Sequence, residues 1–455
     1  MFDKVLIADR GEIAIRIMRT CNRMGISTVA VYSDAESHSL HRQMANESIH
    51  IGGPCVQESY LNGERIIYAA LETGCQAIHP GYGFLSENAI FARSVETAGL
   101  TFIGPSAGVI AMLSDKITAK NLAIKAGVPV IPGHSDTLKD EDEALALAES
   151  IGYPVLLKPV AGCNAKGLRI VYGPGEMEAA IAASRQETRK AFGNSRIFME
   201  RFIEQSRHVE IQILADSLGN VVHLGERECS IQRQYQKFIA ESPSPAVSED
   251  LRRRMGQAAC DLARKVGYIN TGTIEFILDA HGAFYFLEIN PHLPEEHAVT
   301  ELLTGLDLVE LQLRIACDEA LPCDQASLIF DGWAIQAHIY AEDPNRDFIP
   351  STGIITRYSE PNGNAIRVDS GVKAGSRIGS YYDSLLAKVI SHGKERETAR
   401  NGLVEALNGY YIGGVATNID FANRLMSHSE FAKGNFNTNF INRHFNTIRR
   451  YMQAV

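Results

Sequence analysis

Four short apolar runs punctuate residues 1 to 113, and the helical patterns between them leave few folds open. Lys4–Ala8 leads through Asp9-Arg-Gly-Glu12 into an amphipathic helix from Ile13 to Met24. Thr28–Tyr32, Ala77-Ile-His-Pro80 and Thr101-Phe-Ile-Gly104 are the next runs. Strand and helix alternating at this spacing make βαβ units, whose strands pair in parallel beneath helices on both faces. The pattern predicts an α/β fold opening on a doubly wound parallel sheet. No G-x-G-x-x-G follows the first run, so a dinucleotide site has no support.

The rest of the chain divides by pattern. A helix, Asp115–Ala126, and the turn Gly127-Val-Pro129 precede a small α/β unit. In that unit Val155-Leu-Leu-Lys158 and Leu168–Tyr172 are expected to pair antiparallel around a loop, with Phe198–Ile203 as a closing strand. Residues 204–300 are β-rich, with strands at Val209–Leu214, Val221–Glu226, Thr273–Leu278 and Phe284–Asn290 and a helix at Ser248–Val266. A further section opens with the run Gly332–Tyr340 and ends in helices after residue 394. The expected boundaries are 1–113, 114–330 with a lid at about 131–203, and 331–447, as a 455-residue chain of about three domains allows.

A net charge of −10 argues against nucleic acid and against a membrane surface as partners. The eight cysteines include no C-x-x-C pair, which predicts reduced thiols in a cytoplasmic protein rather than zinc or disulfides. The start runs directly into a strand, with no signal peptide and no apolar run long enough to span a bilayer.

The chemistry begins in Phe284-Tyr-Phe-Leu-Glu-Ile-Asn290, a strand that delivers Glu288 and Asn290 to one side. Oxygen ligands at that spacing suit a hard cation, and Mg²⁺ usually accompanies a nucleotide. Glu275, in the apolar run Thr273–Ile277, is costly unless paired or ligating. Lys158 ends an apolar run just before a loop carrying two glycines, where a cation can neutralise phosphate oxygens. In Arg207-His-Val-Glu-Ile-Gln212, His208 and Glu210 alternate with apolar residues and share one strand face.

Together these segments resemble the biotin carboxylase family of ATP-grasp ligases. The resemblance runs from residue 3 to about 445, and His79-Pro-Gly-Tyr-Gly-Phe-Leu-Ser-Glu-Asn88 is identical to the family signature. It implies an ATP-grasp fold with an N-terminal parallel-sheet domain, a small lid and a C-terminal α+β domain. It also implies ATP with Mg²⁺, which Mn²⁺ could replace, and a small-molecule substrate. By the same resemblance Glu275, Glu288 and Asn290 hold the metal, and Lys116 and Lys158 contact the nucleotide phosphates. The backbone of Glu200-Arg-Phe-Ile203, hence Glu200, Phe202 and Ile203, lies along adenine, and His208 and Gln232 lie on the nucleotide side. Tyr235 stands where the family has histidine. Lys237 matches the lysine that holds bicarbonate, and Glu296 the general base. Gly162, Lys166 and Gly167 are what is left of a glycine-rich phosphate loop, with Ala161, Cys163, Asn164 and Ala165 at four of its five glycine positions. A residue forced to positive φ costs roughly 1–2 kcal/mol, so the path or mobility of that loop is expected to differ.

The departures cluster elsewhere. For Glu288–His297 the family pattern is Glu-Met-Asn-Thr-Arg-Ile-Gln-Val-Glu-His; here His292 replaces the arginine, Pro294 the glutamine and Glu295 the valine. His338 replaces a second arginine, which faces biotin. With both histidines neutral the pocket changes by three charges, and one charge pair at 4 Å is worth about 4 kcal/mol at an effective dielectric near 20. The expectation is an ATP-dependent ligase that activates a carboxylate or bicarbonate as an acyl phosphate, with catalytic Lys237, Glu296, His292, His338 and Glu295 and a changed acceptor. Biotin as substrate, and a biotin carrier protein as partner, are disfavoured. An ordinary biotin carboxylase subunit, needing a separate carrier because the chain holds no Ala-Met-Lys-Met site, is one alternative. A non-catalytic nucleotide-binding or assembly homologue is the other. Arg19 matches a dimer-interface arginine, but Arg23 replaces its glutamate partner, so a homodimer with a weakened interface is expected.

Overall fold

The computed structural model describes residues 1–134, 136–160 and 166–445. Its first sheet has five strands: β1 (Lys4–Ile7), β2 (Ser27–Ser33), β3 (Glu47–Gly52), β4 (Ala77–His79) and β5 (Thr101–Phe102). Their order is β3-β2-β1-β4-β5 and every pairing is parallel. The chain winds outward in both directions from β1, as the apolar runs predicted. Val5, Leu6 and Ile7 are wholly buried because helices cover both faces of the sheet. Helix α1 (Gly11–Arg23) turns Ile13, Ala14, Ile17, Met18 and Cys21 inward at helical spacing. The sequence reading missed β3, an edge strand whose Glu47, Ser48 and His50 are exposed, so it carries no apolar run.

Three strands, β6 (Val155–Pro159), β7 (Arg169–Val171) and β8 (Ile197–Arg201), form a small antiparallel sheet in the order β7-β6-β8. The antiparallel pairing expected of the first two is present. The third sheet has eight strands. It begins with β9 (Arg207–Ala215), β10 (Val221–Arg233), β11 (Gln236–Ser242), β12 (Asn270–Leu278) and β13 (Phe284–Asn290). Strand β14 (Trp333–Tyr340) and the strands Leu385–Gly393 and Ile366–Ser370 complete it. The order is β13-β12-β9-β10-β11-β14, then Leu385–Gly393 and Ile366–Ser370, with all pairings antiparallel. Hydrogen bonding therefore runs without a break across the expected boundary at residue 330. Strand β11 was missed, since Lys237, Glu241 and Ser242 break its apolar run.

The identical signature segment is built around one buried carboxylate. Asp9, just after β1, accepts N–H bonds from Arg10 at 2.7 Å and from Tyr82 and Gly83 at 3.1 Å each. Gly81 has φ +69°, and a Cβ there would lie 2.1 Å from the Asp9 carboxylate. Arg23, expected to repel Arg19, instead pairs with Asp307 at 2.6 Å and Glu310 at 2.8 Å, while Arg19 lies 3.7 Å from Asp369. Each of the two guanidinium groups thus has a carboxylate neighbour within the chain. The seven described cysteines are all free. Among the described residues no helix is long and apolar enough to cross a membrane.

Gly81→Ala and Gly74→Ala separate backbone strain from packing, because Gly74 has nearly the same φ (+68°) but open space around it. In urea unfolding, Gly74→Ala is expected to cost about 1–2 kcal/mol. Gly81→Ala should cost about 1–3 kcal/mol more, from the collision with Asp9. Equal losses would contradict this account of the loop.

Candidate active site

A cavity of about 1440 Å³ opens between the lid sheet, one face of the eight-stranded sheet and the loop that follows β13. It is lined by most of the residues singled out in the sequence. Its lining includes Lys116, Lys158, Phe202, Ile203, His208, Gln232, Tyr235 and Lys237, with Glu275, Glu288 and Asn290 on the adjacent strands β12 and β13. His292, Glu295 and Glu296, from the loop after β13, also line it. Glu200, Lys166, Gly167 and His338 are not among the lining residues. Gly162 lies outside the described residues, as do Cys163 and its neighbours 161, 164 and 165.

Glu200 sits beneath the cavity, sandwiched between Lys158 at 2.9 Å and Lys120 at 2.8 Å. Burial raises its pKa, but the two ammonium groups outweigh that and hold the carboxyl below its usual range. Lys120 also donates to the Ile131 carbonyl, tying the helix Lys116–Lys125 to the lid. The sequence reading missed Lys120, though it lies one helical turn from Lys116 and hence on the same face. Lys116 itself reaches Glu288 at 2.9 Å.

The centre is an ionic cluster. Lys237 Nζ lies 2.8 Å from Glu210, 3.3 Å from Glu275 and 3.5 Å from Glu296. Burial would depress its pKa, but the carboxylates raise it well above the ordinary lysine value. Glu210 is shared with Arg227 at 2.6 Å, a wholly buried guanidinium that also bonds Gln212 and Thr300. His208 Nε2 is 2.9 Å from Glu275. That contact has ion-pair distance without in-line hydrogen-bond geometry, leaving Nε2 without a directed bond. Glu275 pulls the His208 pKa up against the effect of burial.

Glu275 and Glu288 are direct cross-strand partners, and Asn290 Nδ2 donates to Glu275 at 2.9 Å. Two carboxylates and an amide oxygen on adjacent strands form the all-oxygen donor set that Mg²⁺ prefers. The side chains of Lys116, Lys237 and His208 lie against these carboxylates. The residues present therefore fit a hard divalent cation.

The departures are less electrostatically severe than the sequence suggested. His292 Nε2 is 2.9 Å from Glu87, and Nδ1 is 2.9 Å from the Leu293 carbonyl. Burial opposes a charge on this ring, but Glu87 raises its pKa above the usual histidine value. Glu87 is far away in sequence, so the pairing could not be read from the strand pattern. His338 is 0% exposed; its Nε2 lies 3.6 Å from Glu295, 3.7 Å from Glu296 and 3.1 Å from the Gln336 amide. Burial lowers its pKa to about 4, so at neutral pH this histidine is uncharged. Glu295 faces the cavity with its side chain 40% exposed. Burial, Glu296 and Asp383 raise its pKa, holding it toward the neutral acid. His338 thus brings no positive charge to the pocket at neutral pH, and the charge of Glu295 depends on pH.

The chain's likeness to known proteins follows the same order along its length. Residues 1–110 match the family model of the biotin carboxylase N-terminal domain. Residues 115–323 match that of the carbamoyl-phosphate synthase L chain ATP-binding domain, and 336–443 that of the biotin carboxylase C-terminal domain. A biotin carboxylase of Nostoc is 48% identical over 97% of this chain and 98% of its own length. The biotin carboxylase domain dimer of Hydrogenobacter thermophilus 2-oxoglutarate carboxylase, crystallised with MgADP, ADP and bicarbonate, is 44% identical, covers 98% of each chain and superposes with a TM-score of 0.95. Campylobacter jejuni biotin carboxylase, in complex with a βγ-ATP ligand, is 40% identical over 98% of this chain and 99% of its own, also with a TM-score of 0.95. The fold is thus the expected ATP-grasp architecture with a parallel N-terminal sheet, and the chain belongs to the biotin carboxylase family of ATP-dependent ligases.

Proposed function

We propose that this protein uses Mg·ATP to activate bicarbonate or another carboxylate as an acyl phosphate and passes the acyl group to an acceptor other than the family's usual one. The nucleotide end supports the first part, since Lys116, Lys158, His208, Gln232, Glu275, Glu288 and Asn290 all line one cavity. Mg²⁺ held by Glu275, Glu288 and Asn290 would neutralise the phosphate charge that develops. Lys158 is steered by Glu200 to meet phosphate oxygens, and Lys237 holds the carboxylate under activation. Transfer of the γ-phosphoryl group to that carboxylate releases ADP. Attack by an acceptor nitrogen on the acyl carbon then expels phosphate.

The observation that carries the changed acceptor is the Glu295 carboxyl, in the cavity beside Glu296 and 3.6 Å from a neutral His338. A guanidinium in place of that imidazole would attract an anionic or polar acceptor, whereas two adjacent carboxyls favour an amine or amidine. Glu296 or Glu295 takes its proton before attack. The ordinary biotin carboxylase reading has its own support in His292, whose pairing with Glu87 favours the protonated ring where the family has arginine; biotin and a biotin carrier would then be the partners. The altered glycine-poor loop is the remaining argument for a non-catalytic homologue. A homodimer is consistent with the balanced charges of Arg19 and Arg23.

Millimolar Mg·ATP is expected to raise Tm by mass action, by an amount that Glu288→Gln diminishes; an absent shift favours the non-catalytic alternative. ADP release with bicarbonate and free biotin should be weak, and His292→Arg alone should rescue little because Pro294 and Glu295 remain. A rate comparable with an ordinary family member overturns the changed acceptor. Conversely, an amine panel should include one that stimulates ADP release in the native protein but not in Glu295→Val. No response to any amine tested counts against the proposal.

A further inference from the structure

Strand Leu385–Gly393 is buried along nearly its whole length, yet it carries a lysine at its centre. Lys388 is 0% exposed, between the equally buried Ala387 and Val389. Burying an ammonium costs several kcal/mol unless its charge and donors are met, and an apolar side chain of similar volume is often as stable. Core packing alone therefore gives no reason for lysine here. Its partners do. Nζ lies 3.0 Å from the Glu12 carboxylate, at the start of α1, and donates at 2.9 Å to the backbone carbonyl of Glu295. Tyr82, of the signature loop, donates its phenol to the same Glu12 carboxylate, and its ring centroid is 5.7 Å from Nζ.

We propose that Lys388 is a positioning residue for the acceptor end of the site: anchored on Glu12, it fixes the Glu295 carbonyl and so sets where Glu296 stands relative to Lys237. The peptide that follows Glu295 is planar, so pinning its oxygen also orients the nitrogen and Cα of Glu296. Glu296 immediately precedes the helix His297–Thr304, and its carboxylate reaches Lys237 at 3.5 Å and His338 at 3.7 Å. The only other side-chain donor to the Glu295 carbonyl among the described residues is Gln336, at a long 3.4 Å. Three segments remote in sequence thus meet under one carbonyl, and the lysine ammonium joins them. The consequence for turnover rests on the reading of Glu296 as a base; the geometric part does not.

The simpler explanation is that Lys388 merely balances Glu12, and the two differ in the double variant. Lys388→Met should let residues 294–296 move, taking the Glu296 carboxylate beyond about 4 Å from Lys237 in a crystal structure of the full chain. Turnover with whichever acceptor the native protein uses should fall on the order of 100-fold, the usual effect of a misplacement of about 1 Å. KM for ATP should stay within about twofold, as nothing at the nucleotide end changes. Adding Glu12→Gln restores charge balance without a donor for the carbonyl, so the double variant should stay displaced and slow. Recovery of the Glu296 position in the double variant, or no displacement in Lys388→Met, overturns the proposal. If Lys388→Met does not fold, Glu12→Gln alone tests the anchor: a shift of the Glu295 carbonyl supports it and an unmoved carbonyl refutes it. A native protein inactive with every acceptor sinks the functional reading, and the structures of the variants still decide the positioning role.

Discussion

The ammonium of Lys237 is the charge on which the interior of the site depends. Glu210 from β9, Glu275 from β12 and Glu296 from the loop after β13 all point at it, and none of these carboxylates is more than slightly exposed. Without a central cation they would repel one another in a medium that screens charge poorly. Arg227 and His208 take the outer oxygens, so Glu210 and Glu275 each meet a second basic side chain. The cluster exists because the sheet order places β9 between β12 and β10, with β11 beyond, bringing four charged strands onto one face.

The two ends of the cavity have fared differently. At the nucleotide end Lys116, Lys158, Phe202, Ile203, His208 and Gln232 line the cavity and Glu200 braces Lys158, while Lys166 and Gly167 lie outside the lining. At the other end the buried, uncharged His338 stands beside the Glu295 carboxyl, and His292 pairs with Glu87. These are the groups on which the proposed change of acceptor rests.

Much of this was legible in the sequence where the signal is local. The alternation of His208 with Glu210, the two-residue spacing of Glu288 and Asn290, and the apolar runs of the first sheet each follow from strand geometry. Strand β3 escaped because an edge strand with a solvated face has no apolar run. The Glu87 partner of His292, the Arg227 partner of Glu210 and the Glu12 partner of Lys388 escaped for another reason. Each joins segments distant in the chain, and no periodicity reports which charges will meet.

The central proposal is that the pocket holding Glu295 and Glu296 suits bicarbonate less well than that of an ordinary member of the family. Bicarbonate affinity in the presence of Mg·ADP measures this directly, without requiring turnover. At alkaline pH, where Glu295 carries its charge, the account predicts that Glu295→Val binds bicarbonate about tenfold or more tightly than the native protein, a difference of about 1.4 kcal/mol or more. Equal affinities, with the native protein already binding as tightly as a family member that has both arginines, would contradict it.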